Sequence, residues 1–161
     1  MIAQLVGLFN GLPHGLVVLI FAALPIIEVR GSIPLGLIYF KMDTLSVLLI
    51  SFIGGVLPVF PILWFLENLT GVLREIAIFD RFFGWLFAHT RAKSGLIERF
   101  ELVGLTIFMA LPIPGAGIWT GCVAAYLLEL PWILTFICAV IGTAIATLVV
   151  WLASLGVLRL I

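Results

Sequence analysis

The chain carries the heptapeptide IFAALPI at residues 20–26 and a near copy, IFMALPI, at residues 107–113. Six of the seven positions are identical, and a shift of 87 residues relates the two copies. Continued without a gap, the same shift superposes further residues: Tyr39 on Tyr126, Gly55 on Gly142 and Trp64 on Trp151. Self-similarity at one fixed shift is typical of repeated structural units. We therefore predict two copies of one unit.

The composition indicates a chain that folds inside a lipid bilayer. Hydrophobic residues make up 64% of the 161 residues and charged residues 10%, and the mean hydropathy is +1.36. Soluble domains carry about 25% charged residues. We predict a single membrane domain, residues 1–161, in a multi-pass protein of the cytoplasmic cell membrane. Eight Lys and Arg balance eight Asp and Glu, so we expect no nucleic-acid partner.

Each unit opens with an apolar stretch that is too short to cross a membrane. These stretches, Gly15–Ile27 and Val103–Gly115, end at breaks that contain proline and glycine. Thirteen helical residues span about 20 Å, against about 30 Å of hydrocarbon. A second short piece follows in each unit, and then a segment long enough to span, Leu45–Leu66 or Trp132–Leu155. Pro58 and Pro61 are expected to kink the first of these, because proline removes a helix hydrogen bond.

Two topologies remain open for the short pieces. If they form a re-entrant hairpin, each unit crosses once and the units have opposite orientations. If the broken segment crosses, the units are parallel. The prolines at the breaks favour the hairpin, because unpaired backbone groups at membrane depth must be buried in protein or line a cavity. The predicted fold class is therefore an all-α integral membrane fold with two inverted repeats, about 14–68 and 102–157. Each repeat comprises a re-entrant broken-helix hairpin and a transmembrane helix.

The connector between the repeats, about residues 69–101, is predicted to face the cytoplasm. The segment Glu67–Glu101 carries five of the eight positive charges, and positively charged loops stay on the cytoplasmic side. Within it, Ile76–Phe87 is rich in aromatic residues and flanked by charges. That pattern predicts an amphipathic helix in the plane of the interface, which joins the two repeats.

Two charged residues, Glu28 and Arg30, lie inside the first broken segment, ALPIIEVRGSIPLG. Ionisable groups within a membrane are costly and are functional candidates by default. Their i, i+2 spacing places the side chains on one face only in extended chain. We therefore expect an unwound tip with a Glu28–Arg30 ion pair. In the functional interpretation Glu28 binds a proton or cation and Arg30 an anionic group, whereas in the structural one the pair only fixes the tip.

The second break carries glycines where the first carries charges. Backbone N–H groups at the start of the half-helix from Ile118 favour an anion. Trp119 would supply a stacking face and Thr120 a hydroxyl, although close packing through small residues explains the glycines as well. The predicted substrate-binding residues are Arg30, Pro112, Pro114, Gly115, Gly117, Trp119 and Thr120. We find no catalytic set and no metal ligands, and expect no cofactor.

Three stretches carry a resemblance to a known family: ALPIIEVRGSIPLG (23–36), GGVLPVFPILWFL (54–66) and LIERFELVGLTIFMALPIPGAGIWTG (96–121). From about Phe21 to Trp151 the chain resembles the small multidrug export family, which is similar in plan to the DedA and VTT membrane proteins. The resemblance implies paired re-entrant hairpins facing each other across the bilayer. It matches Glu28 and Arg30 to the charged motif of the first hairpin. It matches residues of the second hairpin as well: Pro112, Pro114, Gly115, Gly117, Trp119 and Gly121.

The function predicted from these features is transport. The leading hypothesis is a proton-coupled membrane transporter of a small amphipathic or anionic substrate, with a midplane site between two re-entrant tips and Glu28 as the coupling group. The alternative is a lipid or polyprenyl-phosphate translocase of DedA type. A structural membrane protein would not explain the paired breaks, and an enzyme is the least favoured class. Expected partners are the substrate, membrane lipids and a second copy in a homodimer.

Overall fold

The computed structural model of the protein describes residues 11–73, 95–112 and 117–158, and every regular element in these ranges is helical. The helices are α1 His14–Ala23, α2 Glu28–Pro34, α3 Thr44–Val56, α4 Val59–Leu73, α5 Gly95–Ala110, α6 Ile118–Leu127 and α7 Trp132–Leu158. A π-helical turn, Leu35–Tyr39, continues α2. The predicted all-α class is confirmed. The predicted interfacial helix, Ile76–Phe87, lies outside the described residues.

Two stretches are long and apolar enough to cross a membrane. They are Thr44–Leu69, with 26 residues and a mean hydropathy of 2.3, and Trp132–Gly156, with 25 residues and 2.6. At 1.5 Å per residue each exceeds the hydrocarbon thickness of about 30 Å. The first is interrupted between α3 and α4 at Pro58, which has no N–H to donate. Pro61 lies in the first turn of α4, where proline is tolerated, so only one of the two expected proline effects is seen.

The chain forms two compact units, whose boundaries fall within the long helical stretches. Unit 1 comprises Met1–Leu57 and Thr143–Ile161, and unit 2 comprises Pro58–Gly142. Unit 1 therefore contains α1, α2, α3 and the second half of α7. Unit 2 contains α4, α5, α6 and the first half of α7. Each unit combines two short helices with portions of both long stretches.

In unit 1, α1 and α2 form a helical hairpin that packs on α3. The chain reverses at Leu24–Ile27, because the residue before a proline avoids the helical region and Leu24 is extended, with ψ 139°. At the other end of the hairpin the ring of His14 stacks on that of Phe40, with centroids 4.3 Å apart. The two ends of the hairpin therefore lie together. Leu35 joins Val17 and Phe21 in a buried cluster between the two arms.

The two units repeat local structure, with one extra residue in the second. Ala23 and Ala110, 87 residues apart, end α1 and α5. The next features are 88 apart instead (132 − 44 and 129 − 41): Thr44 and Trp132 begin α3 and α7, and Lys41 and Glu129 have positive φ angles of 51° and 54°. The predicted shift of 87 residues without a gap is therefore wrong after the proline-containing breaks, where the shift is 88.

The contacts of two glycines, Gly54 and Gly142, also show that the second unit has one extra residue. A Cβ at Gly54 would lie 2.6 Å from the carbonyl oxygen of Leu19, and one at Gly142 would lie 3.0 Å from that of Thr106. These glycines are 88 residues apart (142 − 54), whereas their partners are 87 apart (106 − 19). Each unit thus brings a glycine of a long helix against the backbone of its first short helix. Gly54, and not the predicted Gly55, is the counterpart of Gly142.

Candidate functional site

The predicted ion pair forms, but in a different backbone setting from the expected one. Glu28 is the first residue of α2, so the segment Glu28–Arg30 is helical and the break lies before it. The prediction of an extended tip is therefore wrong. Glu28 has a φ of +48°, outside the helical range, and this turns its side chain relative to a regular helix. Arg30 Nη1 lies 3.5 Å from Glu28 Oε2 at i, i+2 as a result.

The pair is held in an apolar part of unit 1. Glu28 is 7% exposed, and the Arg30 side chain is 19% exposed. The neighbouring Val29 is buried in a cluster with Ile33 and with Val47 of α3. Charges removed from water are costly unless they are paired, and Arg30 supplies the opposite charge for Glu28.

Pro34 is the last residue of α2, the helix that carries the pair, and the chain stays helical beyond it. Proline lacks an N–H, so the regular hydrogen-bond pattern is lost at this point. The chain continues as the π-helical turn, in which the N–H of Phe40 donates to the carbonyl of Leu35 at 3.0 Å. Single π-helical turns inside helices are frequent at functional sites. Here the turn lies one residue after Pro34 and closes the hairpin.

A polar row on α7, missed in the sequence interpretation, faces the same hairpin. Thr143 Oγ1, Thr147 Oγ1 and Trp151 Nε1 are buried and have no hydrogen-bond partner among the described residues. A Cβ at Gly55 would lie 3.0 Å from the methyl of Thr143 and 3.1 Å from that of Val29. Thr143 is therefore at the level of the residue that follows Glu28. The four-residue spacing of two threonines in an apolar span was the available signal.

In unit 2, the second predicted tip is arranged as a helix start. Pro114 and Gly115 lie outside the described residues, and Pro112 is exposed. The N–H of Gly117 donates to Thr120 Oγ1 at 3.1 Å, and Gly117 is the N-cap of α6. This hydrogen bond uses one of the backbone donors that were expected to bind an anion. It also engages the hydroxyl that was assigned to substrate.

Trp119 and Thr120 line a pocket of about 470 Å³ between α4 and α6. Its other lining residues are Val123 of α6 and Pro61, Ile62, Phe65 and Leu66 of α4. The walls are almost wholly apolar, and Phe65 is 57% exposed, so the pocket opens at the protein surface. Pockets of this size accommodate drug-sized ligands. The site suits the apolar part of a small molecule better than a phosphate.

The structure thus brings the predicted residues together in two separate groups. Glu28 and Arg30 contact each other in unit 1, while Trp119 and Thr120 share the pocket in unit 2. Close to that pocket, Trp132 Nε1 of α7 donates to Glu67 Oε1 of α4 at 2.6 Å. One group is ionic and buried, and the other is apolar and open.

Comparison with known proteins identifies the family. Residues 28–149 match the family model described as "Putative small multi-drug export protein". Searches of curated proteins and of solved structures found no significant match. The match covers more than half of the chain, and it includes the ion pair, the pocket, and Thr143 and Thr147 of the polar row of α7. The protein is a helical membrane protein that belongs to the small multi-drug export family.

Proposed function

We propose that the protein is a proton-coupled transporter of small amphipathic molecules in the cytoplasmic cell membrane. Glu28 carries the proton, and the pocket between α4 and α6 binds the apolar part of the substrate. The observation that carries the proposal is the Glu28–Arg30 pair, in which both side chains are largely removed from solvent in an export-family chain. Ionisable groups at membrane depth mark ion and substrate pathways.

The chemistry of the pair supports a role in coupling. A protonated Glu28 no longer attracts Arg30 as a carboxylate does, so protonation weakens the contact at 3.5 Å. Because Glu28 begins α2, loss of the pair acts directly on the start of the helix that closes the hairpin. Binding of a proton is thereby linked to the conformation of α2. Such linkage is what proton coupling requires.

The pocket supports the substrate class. Aromatic and aliphatic side chains form its walls, and none of its lining residues is ionisable. An apolar ring or short chain therefore gains from burial there, while a free phosphate does not. For the same reason we favour an amphipathic substrate over a purely anionic one. Arg30 already faces a carboxylate, which weakens the phosphate-binding role that a polyprenyl-phosphate translocase needs.

Transport can be measured with the protein reconstituted in liposomes, with ethidium and anilinonaphthalene sulfonate as probes. A pH gradient is expected to drive flux of at least one dye, and Glu28→Gln is expected to abolish the gradient-driven part. Glu129→Gln, in the turn before α7 and outside both the ion pair and the pocket, is the matched control and should leave flux unchanged. Full gradient-driven flux in Glu28→Gln would exclude the coupling role.

The pocket is tested by filling it. Val123→Phe places a ring in the pocket and is expected to lower dye flux several-fold, whereas Val103→Phe, at an exposed position of α5, is expected to have no effect. Equal flux in the two variants would contradict the assignment. If neither dye is moved but a labelled polyprenyl phosphate is flipped, and Arg30→Ala stops the flipping, then the lipid translocase is the correct function.

A further inference from the structure

We propose that Thr143 and Thr147, with the indole N–H of Trp151, form a water-binding track along α7 that conducts protons to and from Glu28. This inference rests on the proposed role of Glu28 in proton coupling. The residues are spaced by four along the helix, so they lie in a row on one side of it. Ala146 and Val150, on the same side, are buried with Val29 and Ile33 of α2.

The unused hydrogen-bonding groups are the first argument. Buried polar side chains nearly always have partners, and those that lack protein partners usually bind water. Thr143 is 2% exposed and Thr147 is 5% exposed, yet neither hydroxyl has a partner among the described residues. Two buried hydroxyls without partners on adjacent turns therefore mark a place where water binds.

Other hydroxyls on the same helix behave differently. Ser154 Oγ donates to the carbonyl of Val150 at 2.8 Å, and Thr135 Oγ1 donates to that of Pro131 at 3.2 Å. Bonding to the carbonyl one turn back is the usual way for Ser and Thr to satisfy a hydroxyl in a helix. Because Thr143 and Thr147 do not use it, their hydroxyls are available to another molecule.

The spacing fits water as that molecule. Four helical residues advance about 6 Å along the axis, and one water with two hydrogen bonds of about 2.8 Å each spans nearly the same distance. The row extends about 12 Å from Thr143 to Trp151, which is partly exposed although its Nε1 is buried. The track thus leads from the level of Val29 towards the C-terminal end of α7.

No other charged group lies on the elements packed against α2, and Lys41 and Asp43, the other charged residues in the described part of unit 1, are exposed in the turn before α3. The elements packed against α2 are α1, α3 and α7, and their described residues include no Asp, Glu, Lys or Arg. Arg30 faces Glu28 from its own helix. His14 is the ionisable group of α1, and it stacks on Phe40 at the other end of the hairpin. The remaining buried hydroxyls, Ser32 and Ser51, bond to each other.

Proton transfer along the track keeps the number of O–H bonds on each water and each threonine unchanged. Each water and each threonine hydroxyl accepts one proton and releases another, and the last proton converts the Glu28 carboxylate to a carboxylic acid. A threonine hydroxyl can do this because it is both donor and acceptor. The Trp151 indole is a donor only, so it orients water and does not relay. The reverse sequence returns the proton.

The test measures how fast Glu28 takes up a proton. After a light-triggered pH jump on protein in lipid nanodiscs, time-resolved infrared spectroscopy follows the carboxyl band that is absent in Glu28→Gln. The double variant Thr143→Val/Thr147→Val keeps side-chain shape but removes both hydroxyls. Its rate is expected to fall by about tenfold, which corresponds to about 1.4 kcal/mol, while the final band amplitude stays the same.

Two matched variants separate the hydroxyl chemistry from packing. Thr143→Ser/Thr147→Ser retains both hydroxyls and should keep the native rate, and so should Ser154→Ala, whose hydroxyl bonds its own helix. If Glu28 takes up its proton at the native rate in Thr143→Val/Thr147→Val, the water-binding track is overturned and the proton role of Glu28 is kept. If no band depends on Glu28, then the proton role of Glu28 and the track fall together.

Discussion

In unit 1 the hairpin of α1 and α2 holds a buried ion pair and a buried pair of serines, whereas in unit 2 the corresponding helices α5 and α6 pack through apolar groups. Ser32 of α2 and Cys122 of α6 are both buried, although they are 90 residues apart (122 − 32) and so are not at the same position of the repeat. Ser51 bonds Ser32 at 2.9 Å, and its counterpart at the 88-residue shift (139 − 51) is Ala139. Cys122 and Ala139 belong to one apolar cluster.

This difference shows that two units with a similar helix arrangement can have different interiors, one with polar contacts and one mainly with apolar contacts. The close approach of a glycine to the first short helix recurs in both units, while most buried polar side chains among the described residues lie in unit 1, and Thr135 is buried in unit 2. Buried polar groups need exact partners, so they restrict the conformations of unit 1. Apolar contacts tolerate adjustment, so the side chains around the pocket of unit 2 can repack at low cost.

The largest expected effect on stability comes from breaking the ion pair. Arg30→Met leaves the carboxylate of Glu28 without its opposite charge, and we expect a loss of about 3 kcal/mol in unfolding free energy. Glu28→Gln/Arg30→Met should recover much of that loss, because no buried charge remains. Lys41→Met, in the exposed turn before α3, is the control. Unfolding in detergent gives the values, and equal stability of the single and double variants would show that the two side chains are not coupled.

The glycine contacts test the common backbone plan. Gly54→Ala places a methyl group 2.6 Å from the carbonyl oxygen of Leu19, and we expect a loss of about 2 to 3 kcal/mol. Gly142→Ala, where the nearest atom is Met109 Cβ at 2.8 Å, is expected to cost somewhat less.

Gly104 of α5 provides the control for both glycine variants. A Cβ there would meet no atom of another described element within 4 Å, and alanine is the better helix former, so Gly104→Ala should stabilise by about 0.5 to 1 kcal/mol. If Gly54→Ala and Gly142→Ala are as stable as the native protein, the glycines are not required for close packing and the equivalence of the two contacts is lost.

The serine pair tests the contrast between the two interiors. Ser32→Ala leaves the hydroxyl of Ser51 without its partner, which should cost about 1 to 2 kcal/mol. Ser32→Ala/Ser51→Ala is expected to cost less than the sum of the single variants. In unit 2, Cys122→Ser should destabilise by about 1 kcal/mol, because it introduces a hydroxyl into an apolar cluster. A neutral Cys122→Ser would mean that unit 2 accepts polar groups as unit 1 does.

The smallest effect is expected at the contact between α4 and α7. Glu67→Ala removes the acceptor for Trp132 Nε1, but Glu67 is exposed and water can replace it. We expect a loss of about 0.5 kcal/mol, and a similar loss for Trp132→Phe. The two changes together should cost no more than either one alone. Additive losses in this cycle would show that the hydrogen bond at 2.6 Å contributes nothing.

The charged and apolar groups of the candidate site are predicted well from the sequence, and their backbone conformation poorly. The spacing of Glu28 and Arg30 predicts a pair in extended chain, since two residues of a regular helix at this spacing point apart. In the structure, the positive φ of Glu28 at the first residue of α2 brings the two side chains together within a helix. Thr143 and Thr147 were missed because a threonine in an apolar span normally bonds its own helix, and only the packed structure shows that these two do not.

The sequence by itself determined that this is a helical membrane protein of a transport family with a repeated unit, because hydrophobicity, proline breaks and the heptapeptide repeat are properties of the chain alone. Only the tertiary structure decided where the repeat gains a residue, which glycines meet which backbone atoms, and which residues line the pocket. These depend on contacts between helices distant in sequence. A helix start with one unusual φ angle, and a hydroxyl without a partner, are likewise set by how the surrounding helices pack.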